Sequence, residues 1–350
     1  MKTAAVTKLG SLKETDATKR GTVELIDIED NPLEDEDIKL RVAYCAICGS
    51  DPNVLEGSFG DDLPIPLGHE ISGVIEELGK DATKKGFKVG DYVAGNFLQN
   101  CGTCYYCQNA QQQFCDSRPL RMAPGMSEYV IWHESQAFKL PDGVSLRQGC
   151  MLEPLSIAVR ASDKVNAKAG SRIAVSGGGP IGQLVLQVLR LQGATSLTLI
   201  EPIAQRREMG RTFGAKHVID PIGQNVEEEA LRITDGMGFD IVCDFSGIPA
   251  AAEILPSITS KGGSLLFGAM YPVGYKLPLD LYTYCYHNEL TISGMFLSPY
   301  TFPRAVQLMP YIDLEPFIAK AFPLDQVAEA FDAHMSGEHL KVLIRCNDLD

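Results

Sequence analysis

The chain has no run of about eighteen apolar residues, so no segment is long and apolar enough to cross a bilayer as a helix. It also lacks any basic stretch. Its 31 Lys and Arg stand against 45 Asp and Glu, a net charge of −14, which argues against non-specific binding to nucleic acid or anionic membranes. The first residues, Met1 to Lys8, are interrupted by charge before a long apolar segment can form, so no secretion signal is read there. There is no internal repeat and no low-complexity segment. These absences predict a cytoplasmic protein whose partner is a small molecule, with no nucleic acid and no membrane, and a reducing compartment suits its ten cysteines. At 350 residues, 45% hydrophobic and 22% charged, the composition is that of a soluble globular protein with material for two domains.

What is present is cysteine, concentrated in one place. Cys101, Cys104, Cys107 and Cys115 fall within fifteen residues. A C-x2-C-x2-C-x7-C lobe supplies four thiolates from one loop, as a closed tetrahedral zinc site requires. The short spacings are too tight for disulfide geometry. With no position left for water such a site holds a loop and activates no substrate, so the chemistry is expected elsewhere.

Around the lobe the chain reads in three stretches. Residues 1–150 carry short alternating segments, such as Ile38, Leu40, Val42 and Tyr44 on one strand face, parted by Gly/Pro/Asp turns, which predicts an antiparallel β domain. From about 171 to 294 short apolar strands alternate with helical segments, the pattern of a parallel sheet. Ile173–Ser176, Leu197–Ile200, Ile241–Phe245 and Leu265–Phe267 are the strand candidates there. The last stretch, about 295–350, ends in another strand-like run, Lys341–Arg345.

The first of those strands runs directly into Gly177-Gly178-Gly179-Pro180-Ile181-Gly182 and then into a helical segment. This is G-x-G-x-x-G in the context a dinucleotide fingerprint needs. Gly177 permits the tight turn, Gly179 lets backbone approach a pyrophosphate, Gly182 lets the helix pack on the sheet, and Pro180 and Ile181 open that helix. Nineteen residues after Gly182 stands Glu201, placed to accept ribose hydroxyls and to repel a 2′-phosphate, so NAD is expected over NADP. Arg206 is a candidate to lie over the adenine, or else a helix-surface arginine.

Cys48-Gly49-Ser50-Asp51 and Gly68-His69-Glu70 offer a thiolate, an imidazole and a carboxylate, and Cys45 competes with Cys48 because the two form a C-x2-C pair. Taken in order, Ile47–Asp51, Leu67–Glu70, Val89–Val93, the cysteine lobe, Glu153-Pro154-Leu155-Ser156 and the glycine run resemble the zinc-containing medium-chain alcohol dehydrogenases over the whole chain. The resemblance implies an α/β fold: a GroES-like β-rich catalytic domain at 1–153 and 295–350, with the zinc lobe at about 96–116, and a Rossmann doubly wound parallel sheet at 154–294. It implies two zinc ions per chain. The catalytic one would be held by Cys48 and His69, with Glu70 bound directly or exchanging with water, and with Glu153 where simple alcohol dehydrogenases carry a second cysteine. A carboxylate at that position marks the polyol branch, which includes sorbitol, galactitol-phosphate, butanediol and threonine dehydrogenases. Cys48 is favoured over Cys45 because it stands directly before Gly-Ser-Asp. Asp51 is expected to accept the ring N–H of His69 and fix its tautomer. Ser50 is expected to pass on the substrate proton while NAD takes hydride from a secondary alcohol of a polyol or polyol phosphate, and a homodimer or homotetramer is expected.

Two departures stand out. Where many relatives have a histidine soon after Ser-Asp, this chain has Asn53, which cannot titrate. Where sorbitol dehydrogenases place an Arg-Tyr pair, it has Leu297-Ser298. A phosphate on the substrate would need cations, for which Arg118, Arg121 and Arg160 are candidates or else structural arginines. The alternatives are a vicinal-diol or amino-alcohol dehydrogenase, a non-catalytic nucleotide-binding protein on the same fold, and a zinc-free enone reductase. The intact ligand set argues against the last two.

Overall fold

The computed structural model describes residues 1–30, 32–118 and 124–349. The chain forms two compact units, Met1–Glu153 with Phe302–Asp350, and Pro154–Thr301.

The first unit opens with β1 (Lys2–Lys8), β2 (Thr22–Asp27), β3 (Asp37–Ala46), β4 (Ile65–Pro66), β5 (Glu70–Leu78), β6 (Tyr92–Gly95), β7 (Tyr129–His133) and β8 (Ala137–Lys139). β1, β2 and β4 make a small antiparallel sheet in the order β2-β1-β4. β3 is the spine of a larger one, antiparallel to both β5 and β7. Its alternation follows the sequence: Ile38, Leu40 and Val42 are buried while Arg41 reaches solvent. They pack with Val93, Val130 and Trp132 in one core. The register sets Ala46, at the end of β3, opposite Glu70, at the start of β5. The segment carrying Cys48 therefore leaves the sheet beside the segment carrying His69.

The second unit is a six-stranded parallel sheet of β9 (Arg172–Ser176), β10 (Ser196–Ile200), β11 (His217–Ile219), β12 (Phe239–Asp244), β13 (Thr259–Phe267) and β14 (Thr291–Gly294), in the order β11-β10-β9-β12-β13-β14. Every pair in it is parallel. The chain runs outward from β9 to β11, then returns to the other side of β9 as β12. Strand order thus reverses between β9 and β12, and such a switch point opens a crevice at the strand carboxyl ends. β12 ends one residue earlier than the apolar run suggests, its last ladder bond to β9 running from the Phe245 amide to Ser176 O at 2.8 Å.

β15 (Lys320–Pro323) and β16 (Val342–Arg345) complete the first unit. β16 lies between β15 and β3, parallel to β15 and antiparallel to β3. No helix among the described residues is long and apolar enough to cross a membrane.

Candidate metal and nucleotide sites

The exit of β3 and the entrance of β5 bring three donors together. The Cys48 thiol, a His69 ring nitrogen and a Glu70 carboxylate oxygen all lie within 4.8 Å of one another. Asp51, buried at the start of the helix Asp51–Leu55, accepts the Cys48 amide at 2.8 Å and faces His69 Nδ1 at 3.7 Å. The expected ring hydrogen bond is therefore a looser charge contact, since the carboxylate is committed to its own turn. Burial would lower the His69 pKa, but Cys48, Asp51 and Glu153 outweigh it and raise it well above the usual range. An imidazole ringed by anions is a place for a cation. The Phe97 ring lies 4.9 Å from the His69 ring, tilted by 47°.

Cys45 is excluded from the cluster. It is fully buried, its thiol donates to Ala46 O at 3.7 Å, and burial raises its pKa well above the ordinary value.

Sequence reasoning missed Lys341. Its Nζ donates to both oxygens of Glu70, at 2.6 and 2.5 Å, and to Ile47 O at 3.1 Å. The only signal was a lysine heading an otherwise apolar strand. Glu153 is buried at the start of the helix Leu152–Val165 but lies outside the three-donor cluster. Burial raises its pKa to about 7 against the opposing pull of His69. The clustered donors suit a zinc ion: one thiolate, one imidazole and one carboxylate.

The lobe fits a second ion more tightly. All four cysteine sulfurs lie within 4.8 Å of one another, with Cys101 3.9 Å from Cys107 and 3.6 Å from Cys115. Zn–S bonds of about 2.3 Å in a tetrahedron set sulfurs roughly 3.8 Å apart. The amides of Thr103 and Cys104 donate to Cys101 at 3.4 and 3.3 Å, and these bonds bring its pKa down to about 6. Arg118, a candidate for phosphate, instead donates to Gln112 O and Gln113 O at 3.1 and 2.9 Å and so holds this lobe. Arg121 lies outside the described residues.

In the second unit Gly177 has φ +92°, and a Cβ on Gly182 would stand 1.9 Å from Gly177 O, so both close approaches need glycine. Gly179 caps the helix Pro180–Leu191 without any side-chain bond, and the space beside it is open. A phosphate can therefore meet the free amides of Gly179, Ile181 and Gly182 at the helix start. Glu201 is buried beside this turn and accepts the amides of Gly178 and Ile203 at 2.6 and 2.9 Å. Arg206 accepts a bond from Gln183 through its carbonyl, while the neighbouring Arg207 is tied to Glu201 O, Pro202 O and Asp220.

Of the remaining predicted residues, Ser50 precedes the helix Asp51–Leu55 and its hydroxyl makes no bond with the described residues, so it is available to substrate. Arg160 lies in the helix Leu152–Val165 with its Nε buried and unbonded. Ser298 does not stand alone: the Ser156 hydroxyl donates to it at 2.7 Å, and both are buried.

Two family models match the chain, the alcohol dehydrogenase GroES-like domain over residues 34–142 and the zinc-binding dehydrogenase over 180–310. The chain is 32% identical to D-arabitol-phosphate dehydrogenase of Enterococcus avium, covering 92% of this chain and 93% of that one. It is 27% identical to sorbitol dehydrogenase of Bacillus subtilis, covering 92% and 94%. A solved chain from Clostridium scindens superposes with a TM-score of 0.91 at 30% identity over 99% of both.

Proposed function

The chain belongs to the zinc-containing medium-chain alcohol dehydrogenase family, in its polyol branch, and on that premise we propose that it oxidises a secondary alcohol of a polyol or polyol phosphate to the ketone with NAD. Zinc supplies a Lewis acid toward the alcohol oxygen, and the nicotinamide ring supplies the hydride acceptor. Cys48 and His69 hold the metal, Glu70 stands beside them under the control of Lys341, and Glu153 provides the further carboxylate. Asp51 orients His69 through its charge contact at 3.7 Å. The unbonded hydroxyl of Ser50 receives the substrate proton. Beyond Ser50 the proton has no titratable partner at Asn53 and passes to water or the cofactor ribose. Glu201 meets the ribose hydroxyls and stands against a 2′-phosphate. The four lobe cysteines hold a second, structural zinc.

The observation that carries the substrate class is the donor set, in which a buried carboxylate, Glu70, and no second thiolate stands beside Cys48 and His69 among the described residues. Such a site is harder and accepts a further oxygen donor more readily, so a hydroxyl beside the reacting carbon can engage it where ethanol cannot. The test is NAD reduction against polyols, their phosphates, vicinal diols, threonine and simple primary alcohols. Oxidation of a polyol or its phosphate at a secondary carbon should lead. The best rate with a diol or threonine would favour the alternative that Leu297-Ser298 leaves standing, and the best rate with ethanol would overturn the polyol reading.

A further inference from the structure

Asp244 ends β12 at the switch point of the parallel sheet and is fully buried. No cation among the described residues pairs with it. Neutral donors hold it instead: the Ser246 hydroxyl on Oδ1 at 2.8 Å, the Gly247 amide on Oδ2 at 3.2 Å, and the Tyr271 hydroxyl, also on Oδ2. A buried carboxylate without a counter-charge depends on every such donor. Tyr271 comes from the turn after β13, edge-on to Phe267 and stacked on Tyr275 with ring centroids 5.9 Å apart in both pairs. Tyr275 in turn reaches Pro249 O and Glu253 at 3.3 Å, at the start of the helix Pro249–Ile258. Burial and the nearby Asp244 both raise the pKa of the Tyr271 hydroxyl, so it remains a donor.

The donors belong to turns that face the glycine fingerprint. A Cβ on Gly177 would stand 2.7 Å from the Ser246 amide nitrogen, and one on Gly247 would stand 2.4 Å from Met270 O. The turns after β9, β12 and β13 are thus packed backbone to backbone at the carboxyl ends of three adjacent strands. The carboxylate adds a fastening between two of these turns.

We propose that Tyr271 is a positioning residue for the dinucleotide: through Asp244 it locks the Ser246–Gly247 turn against Gly177, so that one wall of the crevice is formed before the cofactor arrives. The inference rests on the reading of this unit as the nicotinamide-dinucleotide site. Pre-forming a wall lowers the ordering cost of binding.

The test uses the full zinc-loaded chain and NADH fluorescence titration. Tyr271→Phe keeps the ring stacking and removes one donor. It should raise the NADH Kd about tenfold, and the cofactor KM with it, while kcat at saturating cofactor and the alcohol KM stay within about twofold. A role in stability alone would lower the unfolding temperature and leave that split unmoved. Ser246→Ala, which frees the turn from its own side, should raise the Kd about threefold, and decides the matter if Tyr271→Phe does not fold. In an Asp244→Asn background Tyr271→Phe should add little further loss, because the acceptor is already altered. A folded Tyr271→Phe or, failing that, Ser246→Ala with the parental NADH Kd overturns the inference. A parent protein that binds no NADH overturns the cofactor reading and this inference with it.

Discussion

Lys341 and Glu70, 271 positions apart in the chain, form an ion pair in which the side chains are only 3% and 1% exposed. Removing one partner of such a pair strands the other, which costs more than the pair itself contributes. Lys341→Met should destabilise the zinc-free protein by about 3–5 kcal/mol in denaturant unfolding, and adding Glu70→Gln should restore part of the loss. A loss under about 1 kcal/mol would contradict this account. Burial would lower the Lys341 pKa, but Glu70 and Cys48 overcome it and raise it. The stabilisation is therefore complete below the ordinary lysine pKa of about 10.4 and fades only as the pH rises beyond it.

The two metal clusters should separate by phenotype. Cys48→Ser should abolish activity with little change in unfolding temperature, and Cys104→Ser should chiefly cost stability. Metal analysis of both variants and the parent checks this: two zincs in the parent and one in each variant are expected, and a fully active parent with one zinc would contradict the catalytic site.

Glu201 joins the fingerprint turn to the expected ribose position through its bonds to Gly178 and Ile203. Glu201→Ala should lower kcat/KM for NAD about tenfold or more and narrow the gap to NADP, because a charge-assisted bond is lost and the repulsion of a 2′-phosphate goes with it. Equal kcat/KM for both cofactors in the unmutated enzyme would remove the premise.

Glu153 makes the metal-free protein sensitive to pH. Burial raises its pKa to about 7 in the folded chain, against about 4.3 for an ordinary glutamate. Between those values the folded state binds more protons than the unfolded one, so stability should fall as the pH rises through that window. Unfolding temperatures of chelated protein across the window should show the fall, and Glu153→Gln should flatten it. An unchanged slope in the variant would place the sensitivity elsewhere.

What the sequence disclosed depended on how far apart the partners lie. The lobe was legible because its four cysteines share one loop, and the Rossmann sheet because strand, glycine turn and helix are consecutive. Cys48 and His69 are 21 residues apart and meet only through the pairing of β3 with β5, so their motifs pointed to each other without geometry. Lys341 gave no warning, since its partner lies most of the chain away. Tyr271 was equally silent, because a loop tyrosine reveals nothing of a buried aspartate on another strand. For Arg118 the sequence left a phosphate-binding and a structural role both open for a related reason: its partners are carbonyls, which carry no side-chain signature.

The arrival of β16 has a consequence for synthesis. The whole of the second unit leaves the ribosome before Phe302, whereas β3 keeps part of one edge open until Leu343–Arg345 can pair with Tyr44–Ala46. Until then the nascent chain carries an unpaired strand edge, the kind of surface that chaperones cover and that aggregates recruit. Lys341 emerges just ahead of β16, so Glu70 gains its cation only after the whole second unit has been made. A chain that stops short of residue 341 carries the whole parallel sheet but leaves the buried Glu70 carboxylate without its lysine.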